Sequence, residues 1–143
     1  MRFMMIVIPK GYDKARPGAV PDAKLVAEMS KYNESLLKAG AMLSGEGLHP
    51  LSMGARVSFS GGKPKVIDGP FTEAKEVIGG FWILQVKSKA EAIEWAKRCP
   101  MPDGDIVEIR QLQEFEDFPA DVQEAASGEL AMRAQLEKKS KKR

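Results

Sequence analysis

The chain has 143 residues, of which 43% are apolar and 29% are charged, a composition typical of one globular domain with a real hydrophobic core. Its net charge is +2, and five of its 22 Lys and Arg residues lie within the last six positions, so the remainder is slightly acidic and lacks the basic face that nucleic-acid binding requires. A single cysteine excludes an internal disulfide, and with one histidine no zinc ligand set remains.

The first predicted element is a strand over residues 3–8, which is apolar on both alternating faces. A strand buried on both sides suits a sheet with helices behind it and a partner in front, and so indicates a dimer. The apolar run stops at Pro9 and Lys10 without a small-residue cleavage site, which favours a strand over a signal peptide. No other apolar run approaches the length of a membrane span, so we expect a soluble, cytoplasmic protein.

A helix is predicted next, because four large side chains recur at helical spacing: Leu25, Met29, Tyr32 and Leu36. Asp22 is placed to cap its start and Gly40 to end it. Residues 41–43 then read as a short strand, and the glycine-containing stretch 45–50 reads as a loop.

Two alternating segments, residues 56–60 and 63–67, surround Gly61-Gly62 and predict a β-hairpin. The hairpin leads into Asp68 and a loop that ends at Gly79-Gly80. Residues 81–86 are again apolar on both faces and predict a central strand.

The second helix is predicted to start after Ser88, to stop at Pro100 and to place its core face at Ala92, Trp95, Ala96 and Cys99. Cys99 is therefore expected to be an inert, buried thiol. The last strand, residues 105–112, alternates so that Val107 and Ile109 share one face while Glu108 and Arg110 share the other. Beyond it we expect one or two terminal helices interrupted at Pro119 and Gly128.

Taken together, these elements predict an α+β fold with the order β, α, β, hairpin, β, α, β, which is a ferredoxin-like plan with an inserted hairpin. We expect a domain over residues 1–118 and a helical extension with a basic tail over residues 119–143.

The segment 68–81 reads Asp-Gly-Pro-Phe, Thr-Glu-x-Lys-Glu and Gly-Gly-Phe, and it resembles the signature of the YCII-related proteins of the DGPF type. The resemblance extends to residues 40–50, 91–96, 108–110 and 114–118, and so covers nearly the whole chain. It implies a ferredoxin-like sandwich that pairs into a dimeric α/β barrel, whose interior is lined by the face that carries Glu108 and Arg110. Biochemical activity is largely unassigned in this family.

Three residues are candidates for acid–base catalysis. His49 has an unperturbed pKa near neutrality, Asp68 lies in the signature loop, and a partly buried Glu73 could transfer a proton. The resemblance implies a His/Asp pair. The alternative for each is structural, with Asp68 closing a turn and His49 and Glu73 solvated.

Four residues are candidates for ligand binding: Lys75, Glu76, Glu108 and Arg110. Lys75 between carboxylates can anchor an anion or form only a surface ion pair. Charged side chains at 108 and 110 that point into a barrel indicate either a polar pocket or an internal or inter-subunit salt bridge.

These features lead to two functional hypotheses. The first is a cofactor-free small-molecule enzyme that acts on a small anionic molecule as a homodimer, without a bound metal, nucleic acid or membrane. The second is a non-catalytic ligand-binding or accessory protein, which the family's association with extracytoplasmic-function sigma factors implies. A third possibility is a protein without a pocket, in which Glu108 and Arg110 pair with each other.

Overall fold

The computed structural model describes residues 1–16, 18, 21–69 and 76–142. It contains antiparallel sheets and helices, as expected for an α+β protein. The six strands are β1 Arg2–Ile8, β2 Met42–Gly47, β3 Ala55–Ser60, β4 Lys63–Asp68, β5 Gly80–Gln85 and β6 Ile106–Gln111. The four α-helices are α1 Ala23–Lys38, α2 Lys89–Lys97, α3 Ala120–Ala125 and α4 Ser127–Ser140.

Four strands form the main sheet in the order β2-β5-β1-β6, and all neighbouring pairs are antiparallel. This is the strand order of a ferredoxin-like sandwich, which confirms the plan predicted from the sequence. Because the two inner strands are β5 and β1, the segments that are apolar on both faces do lie at the centre of the sheet.

The helices begin and end where the sequence places their caps. The Asp22 side chain accepts a hydrogen bond of 2.9 Å from the Leu25 amide, and Ser88 accepts one of 3.1 Å from the Glu91 amide. Gly40 takes a φ of 69°, a left-handed conformation that ends α1 and that glycine adopts without a Cβ penalty.

The core lies between one face of the main sheet and the helices α1 and α2. Phe3, Met5 and Leu84 are at most 2% exposed, and they pack with Tyr32 of α1 and Trp95 of α2. The Tyr32 hydroxyl donates a hydrogen bond of 2.7 Å to the Trp95 carbonyl oxygen, which joins the two helices. Trp82 donates its indole N–H to Asn33 at 2.8 Å, so this buried polar group is also paired.

Two predicted boundaries are wrong. The strand expected at residues 41–43 runs from Met42 to Gly47, because Glu46 and Gly47 continue to pair with β5, and the loop that follows is shorter than predicted. In addition, α4 continues through Gly128, where a break was expected. At Gly47 the pairing with β5 outweighs the low strand propensity of glycine, and at Gly128 the continuous helix outweighs its low helix propensity.

The chain divides into two compact units, Met1–Leu112 and Gln113–Arg143. In the second unit, the Glu114 and Asp117 side chains accept hydrogen bonds from each other's backbone in a capping box. Gln123 of α3 donates a hydrogen bond of 2.9 Å to the Phe118 carbonyl oxygen.

Candidate functional site

Four segments meet at one end of the main sheet. Because neighbouring strands are antiparallel, this end holds the last residues of β1 and β2 and the first residues of β5 and β6. The Gly79 amide donates to the Val7 carbonyl oxygen at 2.8 Å, and the Lys10 amide donates to the Asp105 carboxylate at 2.9 Å. These bonds hold the loops at this end of the sheet.

His49 lies at this end of the sheet, between the exposed Leu48 and the buried Pro50, and its side chain is exposed. The backbone on either side is held: the Leu48 amide donates to the Gly79 carbonyl oxygen at 2.9 Å, and the Tyr12 hydroxyl donates to the Leu48 carbonyl oxygen. The imidazole is therefore presented to solvent from a well-anchored loop, which leaves it accessible to a ligand.

Asp68 is the last residue of β4, where it pairs with Ala55 of β3. Its side chain is exposed, and among the described residues it makes no hydrogen bond or ion pair, with His49 or with any other group. No hydrogen bond or ion pair joins His49 to Asp68 in the part of the chain that the structure describes.

The Gly69 that follows Asp68 has a steric role. Its amide donates a hydrogen bond of 2.9 Å to the Gly54 carbonyl oxygen, and a Cβ atom built on it would lie 1.7 Å from the Leu51 carbonyl oxygen. The Asp-Gly of the signature segment therefore needs glycine at its second position because two backbone segments approach each other there.

The remaining part of the signature segment is only partly described. Glu73 and Lys75 lie outside the described residues, so their predicted roles stay predictions. Glu76 is exposed, and the neighbouring Val77 is 5% exposed and anchors the segment. At the end of the segment, a Cβ atom on Gly79 would lie 2.5 Å from the Pro9 side chain, and one on Gly80 would lie 2.9 Å from the Glu46 carbonyl oxygen. The Gly-Gly pair thus allows β5 to enter between β1 and β2.

Glu108 and Arg110 lie on the face of the main sheet opposite to α1 and α2. We call this face the second face; it carries Met4, Ile6, Ile8, Ser44, Glu46, Phe81, Ile83, Ile106, Glu108 and Arg110. Glu108 is paired with Ile6 and Arg110 with Met4. Val107 and Ile109 pack against the core, so the alternation predicted for β6 is confirmed.

The two charges on the second face are exposed in the single chain and do not form an ion pair with each other within the described structure. Their neighbours on the strand β1 are apolar. An arginine and a glutamate two positions apart on one strand face can contact the two ends of a small polar molecule, since a guanidinium binds anionic groups through several N–H donors.

Tyr12 is the residue near His49 that sequence reasoning missed. It lies in a short 3-10 turn, Tyr12–Lys14, that starts from the left-handed Gly11 at a φ of 77°. A lone tyrosine in a loop carries no periodic signal, and it contacts Leu48, a residue 36 positions later in the chain.

The titratable groups buried in the core belong to the packing. Burial raises the pKa of the Cys99 thiol to about 12 and also raises the pKa of the Tyr32 hydroxyl. The expected burial of Cys99 is confirmed, and a thiol that stays protonated at neutral pH is a poor nucleophile.

The part of the chain that the structure describes lacks two further features. No cluster of three or more His, Cys, Asp or Glu side chains there could hold a metal ion. Among the helices of residues 1–16, 18, 21–69 and 76–142, none is long and apolar enough to cross a membrane.

Comparison with known proteins gives two matches. The model of the YCII-related domain matches residues 1–116. An uncharacterised protein of Rhizobium meliloti (strain 1021) is 30% identical over 76 residues, which are 53% of this chain. The match spans 61% of the length of that relative. With the ferredoxin-like strand order and a family match over most of its length, the chain belongs to the YCII-related family.

Proposed function

We propose that the protein is a homodimeric, cofactor-free small-molecule enzyme of the DGPF type that works in the cytoplasm. In the dimer, the second faces of two sheets pack against each other and form an α/β barrel. The proposal is supported by the apolar side chains of that face. Ile83 and Phe81 are only half-buried in one chain, and Ile106 is 49% exposed, although each lies on a strand of the main sheet. A paired sheet would remove this surface from water.

The observation that carries the functional proposal is the position of Glu108 and Arg110 on this apolar face without an ion pair between them. Packing two faces together would transfer these charges into a less polar environment, where an unpaired charge is costly. A small anionic molecule bound by Arg110, with a donor group facing Glu108, satisfies both side chains. We therefore place the ligand site between the two sheets.

The chemistry follows from the three candidate acid–base residues. His49, Asp68 and Glu73 supply groups that can accept and donate protons, and in a dimer those of one chain can act with Arg110 of the other. A proton abstraction or transfer on an anionic substrate requires a base near the acidic proton and a cation near the developing negative charge. His49 is the best candidate for the base, because the ordinary pKa of a histidine side chain lies near neutrality.

A thermal-shift screen against small carboxylates, lactones, amines and nucleotides tests the site, because a ligand that binds only the folded state raises the melting temperature. We expect a hit among the carboxylates whose shift disappears in Arg110→Ala. Lys24→Ala is the matched control, since it removes one exposed positive charge from the outer face of α1. A shift that survives in Arg110→Ala would contradict the proposed site.

Turnover of the ligand separates an enzyme from a binding protein. In an enzyme, His49→Gln or Asp68→Asn lowers kcat while the ligand still raises the melting temperature. The second candidate function, a non-catalytic ligand-binding or accessory protein, is favoured by the lack of a hydrogen bond between His49 and Asp68 among the described residues of the single chain. Complete absence of turnover with a tight ligand would establish that alternative.

The dimer has its own test. Light scattering at micromolar concentration is expected to give the mass of two chains for the parent protein. Ile83→Asp introduces a charge in the middle of the second face, and we expect this variant to have the mass of one chain. Ser35→Asp on the exposed surface of α1 is a matched control. A monomeric parent protein would overturn the paired-sheet proposal.

A further inference from the structure

The β3–β4 hairpin (residues 55–68, called the hairpin below) has an uncovered apolar face. The register pairs Val57 with Val66 and Phe59 with Pro64, so these four side chains lie on the same face of the ribbon. Phe59 is 77% exposed, Val66 is 65% exposed and Val57 is 52% exposed. A two-stranded hairpin is only marginally stable in water by itself, so this face is expected to pack against another surface.

A groove of about 600 Å³ lies at the opposite edge of the main sheet, between α2 and β6. We call it the α2–β6 groove. Its apolar lining includes Ile93, Ala96, Met101, Val107 and Ile109. On its outer side β6 is an edge strand, so its backbone there pairs with no strand that the structure describes.

The chemistry of the two surfaces is complementary. The acids Asp103 and Asp105 lie at the groove, together with the single cation Lys97. The register pairs Lys63 with Ser60 and Lys65 with Ser58, so these basic residues lie on the opposite face of the hairpin. Opposite charges on two surfaces steer their encounter without direct contact.

The topology places the hairpin and the groove at the same end of the sheet but at opposite edges. The hairpin follows the last residue of β2, which is one edge strand, and the loop that precedes β6, the other edge strand, contributes Asp103, Gly104 and Asp105 to the groove. Antiparallel pairing puts the end of β2 and the start of β6 at the same end. The hairpin and the groove of one chain are therefore separated by the width of the sheet.

A second copy of the chain removes this separation. If two second faces pack with a two-fold axis parallel to the strands, the β2 edge of each chain lies over the β6 edge of its partner. The end of the sheet at which β2 ends and β6 begins then lies over the same end of the partner's sheet. Each hairpin then starts beside the groove of the other chain. A strand of six residues spans about 20 Å, whereas packed sheets are about 10 Å apart, so the hairpin can reach around the β6 edge.

We propose that the hairpin is an exchanged arm that packs its apolar face into the α2–β6 groove of a second copy of this chain. The inference rests on the proposed pairing of the second faces and adds the direction of the two-fold axis. It also makes the ligand site composite, because Asp68 at the base of the arm is carried to the side of the partner that holds Glu108 and Arg110.

Distance measurement between two differently labelled chains tests the arm directly. One chain carries a spin label at Lys63→Cys, the other carries one at Asp103→Cys, and the two are co-expressed with different affinity tags. Cys99 is 8% exposed and its thiol has a raised pKa, so labelling is directed to the introduced cysteines. We expect the distance between labels at 63 and 103 to be clearly shorter than that between two labels at 63 in a symmetric dimer.

The outcomes separate this inference from the proposed dimer. A dimer in which the 63–103 distance is the longer of the two overturns the exchanged arm and leaves the paired sheets intact, as expected for an axis perpendicular to the strands. A monomer overturns both. A 63–103 distance that is the shorter of the two supports both the exchanged arm and the paired sheets. It also shows that the two-fold axis is parallel to the strands.

A pair of matched variants gives an independent measurement. Phe59→Asp places a carboxylate on the apolar face of the hairpin, whereas Ser58→Asp places the same charge on the opposite face. We expect Phe59→Asp to raise the dimer dissociation constant by about tenfold or more, because a buried aromatic anchor is replaced, and Ser58→Asp to change it by less than about threefold. Equal dissociation constants for the two variants would contradict the arm.

Discussion

Gly69→Ala should detach the hairpin from its base without unfolding the sheet. The added Cβ atom would lie 1.7 Å from the Leu51 carbonyl oxygen and 2.6 Å from its carbon. Both atoms belong to the backbone and cannot rotate away. The Leu51 carbonyl group would have to withdraw by more than about 1 Å to reach the shortest contact that real side chains show.

The withdrawal disturbs two hydrogen bonds. The Leu51 carbonyl oxygen accepts from the Gly54 amide at 3.0 Å, and the Gly54 carbonyl oxygen accepts from the Gly69 amide at 2.9 Å. Steric strain of about 1–3 kcal/mol and about 0.5–1.5 kcal/mol for each of the two weakened hydrogen bonds give a local loss of about 2–6 kcal/mol. The loss falls on the hairpin, because β3 and β4 pair only with each other in the described sheets.

Native-state hydrogen exchange measures this effect strand by strand. We expect the amides of β3 and β4 to lose their protection in Gly69→Ala while those of β1 and β5 keep theirs, because regions open as separate cooperative units. Gly54→Ala is the control from the same loop, since its Cβ atom would meet only the Leu51 carbonyl oxygen at an ordinary 3.6 Å. If the two variants show the same exchange, the steric role assigned to the Asp-Gly motif is wrong.

Three further predictions concern the core. Tyr32→Phe keeps the aromatic packing but removes the hydroxyl that donates to the Trp95 carbonyl oxygen, which then keeps only its bond of 3.1 Å from the Arg98 amide. The free energy of unfolding should therefore fall by about 0.5–1.5 kcal/mol in urea denaturation, and an unchanged value would show that the inter-helix bond is dispensable. Leu84→Ala empties a site that is 0% exposed and should cost about 2–5 kcal/mol, against less than about 0.5 kcal/mol for Leu37→Ala, whose side chain is 62% exposed. The raised pKa of Cys99 predicts loss of stability in alkali: the unfolded thiol ionises near pH 8.5, whereas the folded thiol stays protonated to about pH 12. Between these values the folded state holds more protons, so this contribution is complete below about pH 8 and falls by up to about 1.4 kcal/mol per pH unit above about pH 9. Cys99→Ala should flatten that decline, and a decline of the same slope in the variant would refute the assignment.

Periodicity and capping predicted most of the fold because they are local. Asp22 and Ser88 cap their helices as expected, and the alternation of β6 correctly separates Val107 from Glu108. The extension of β2 through Gly47 was not predictable from its own residues, since its Ser, Gly and Glu residues have low strand propensity and are held by pairing with β5.

The candidate site was less predictable because it depends on distant contacts. The sequence correctly indicates that Glu108 and Arg110 share a face, because that follows from strand geometry alone. Whether His49 meets Asp68 depends on the position of the hairpin, which no local pattern determines. The steric need for Gly69 arises from Leu51, eighteen positions earlier, and the contact of Tyr12 with Leu48 is equally non-local.

The aromatic cluster around Tyr32 has a practical consequence for spectroscopy. The chain has two tryptophans, Trp82 and Trp95, and both rings contact Tyr32 edge-on, at centroid distances of 5.7 and 6.4 Å. Intrinsic fluorescence therefore reports on the contact of α1 and α2 with the main sheet, and neither the hairpin nor the second unit carries an indole of its own. A fluorescence melting curve and a circular-dichroism curve should coincide only if all parts of the chain unfold together. A difference between the two curves would therefore show, without any label, that the hairpin unfolds separately from the main sheet.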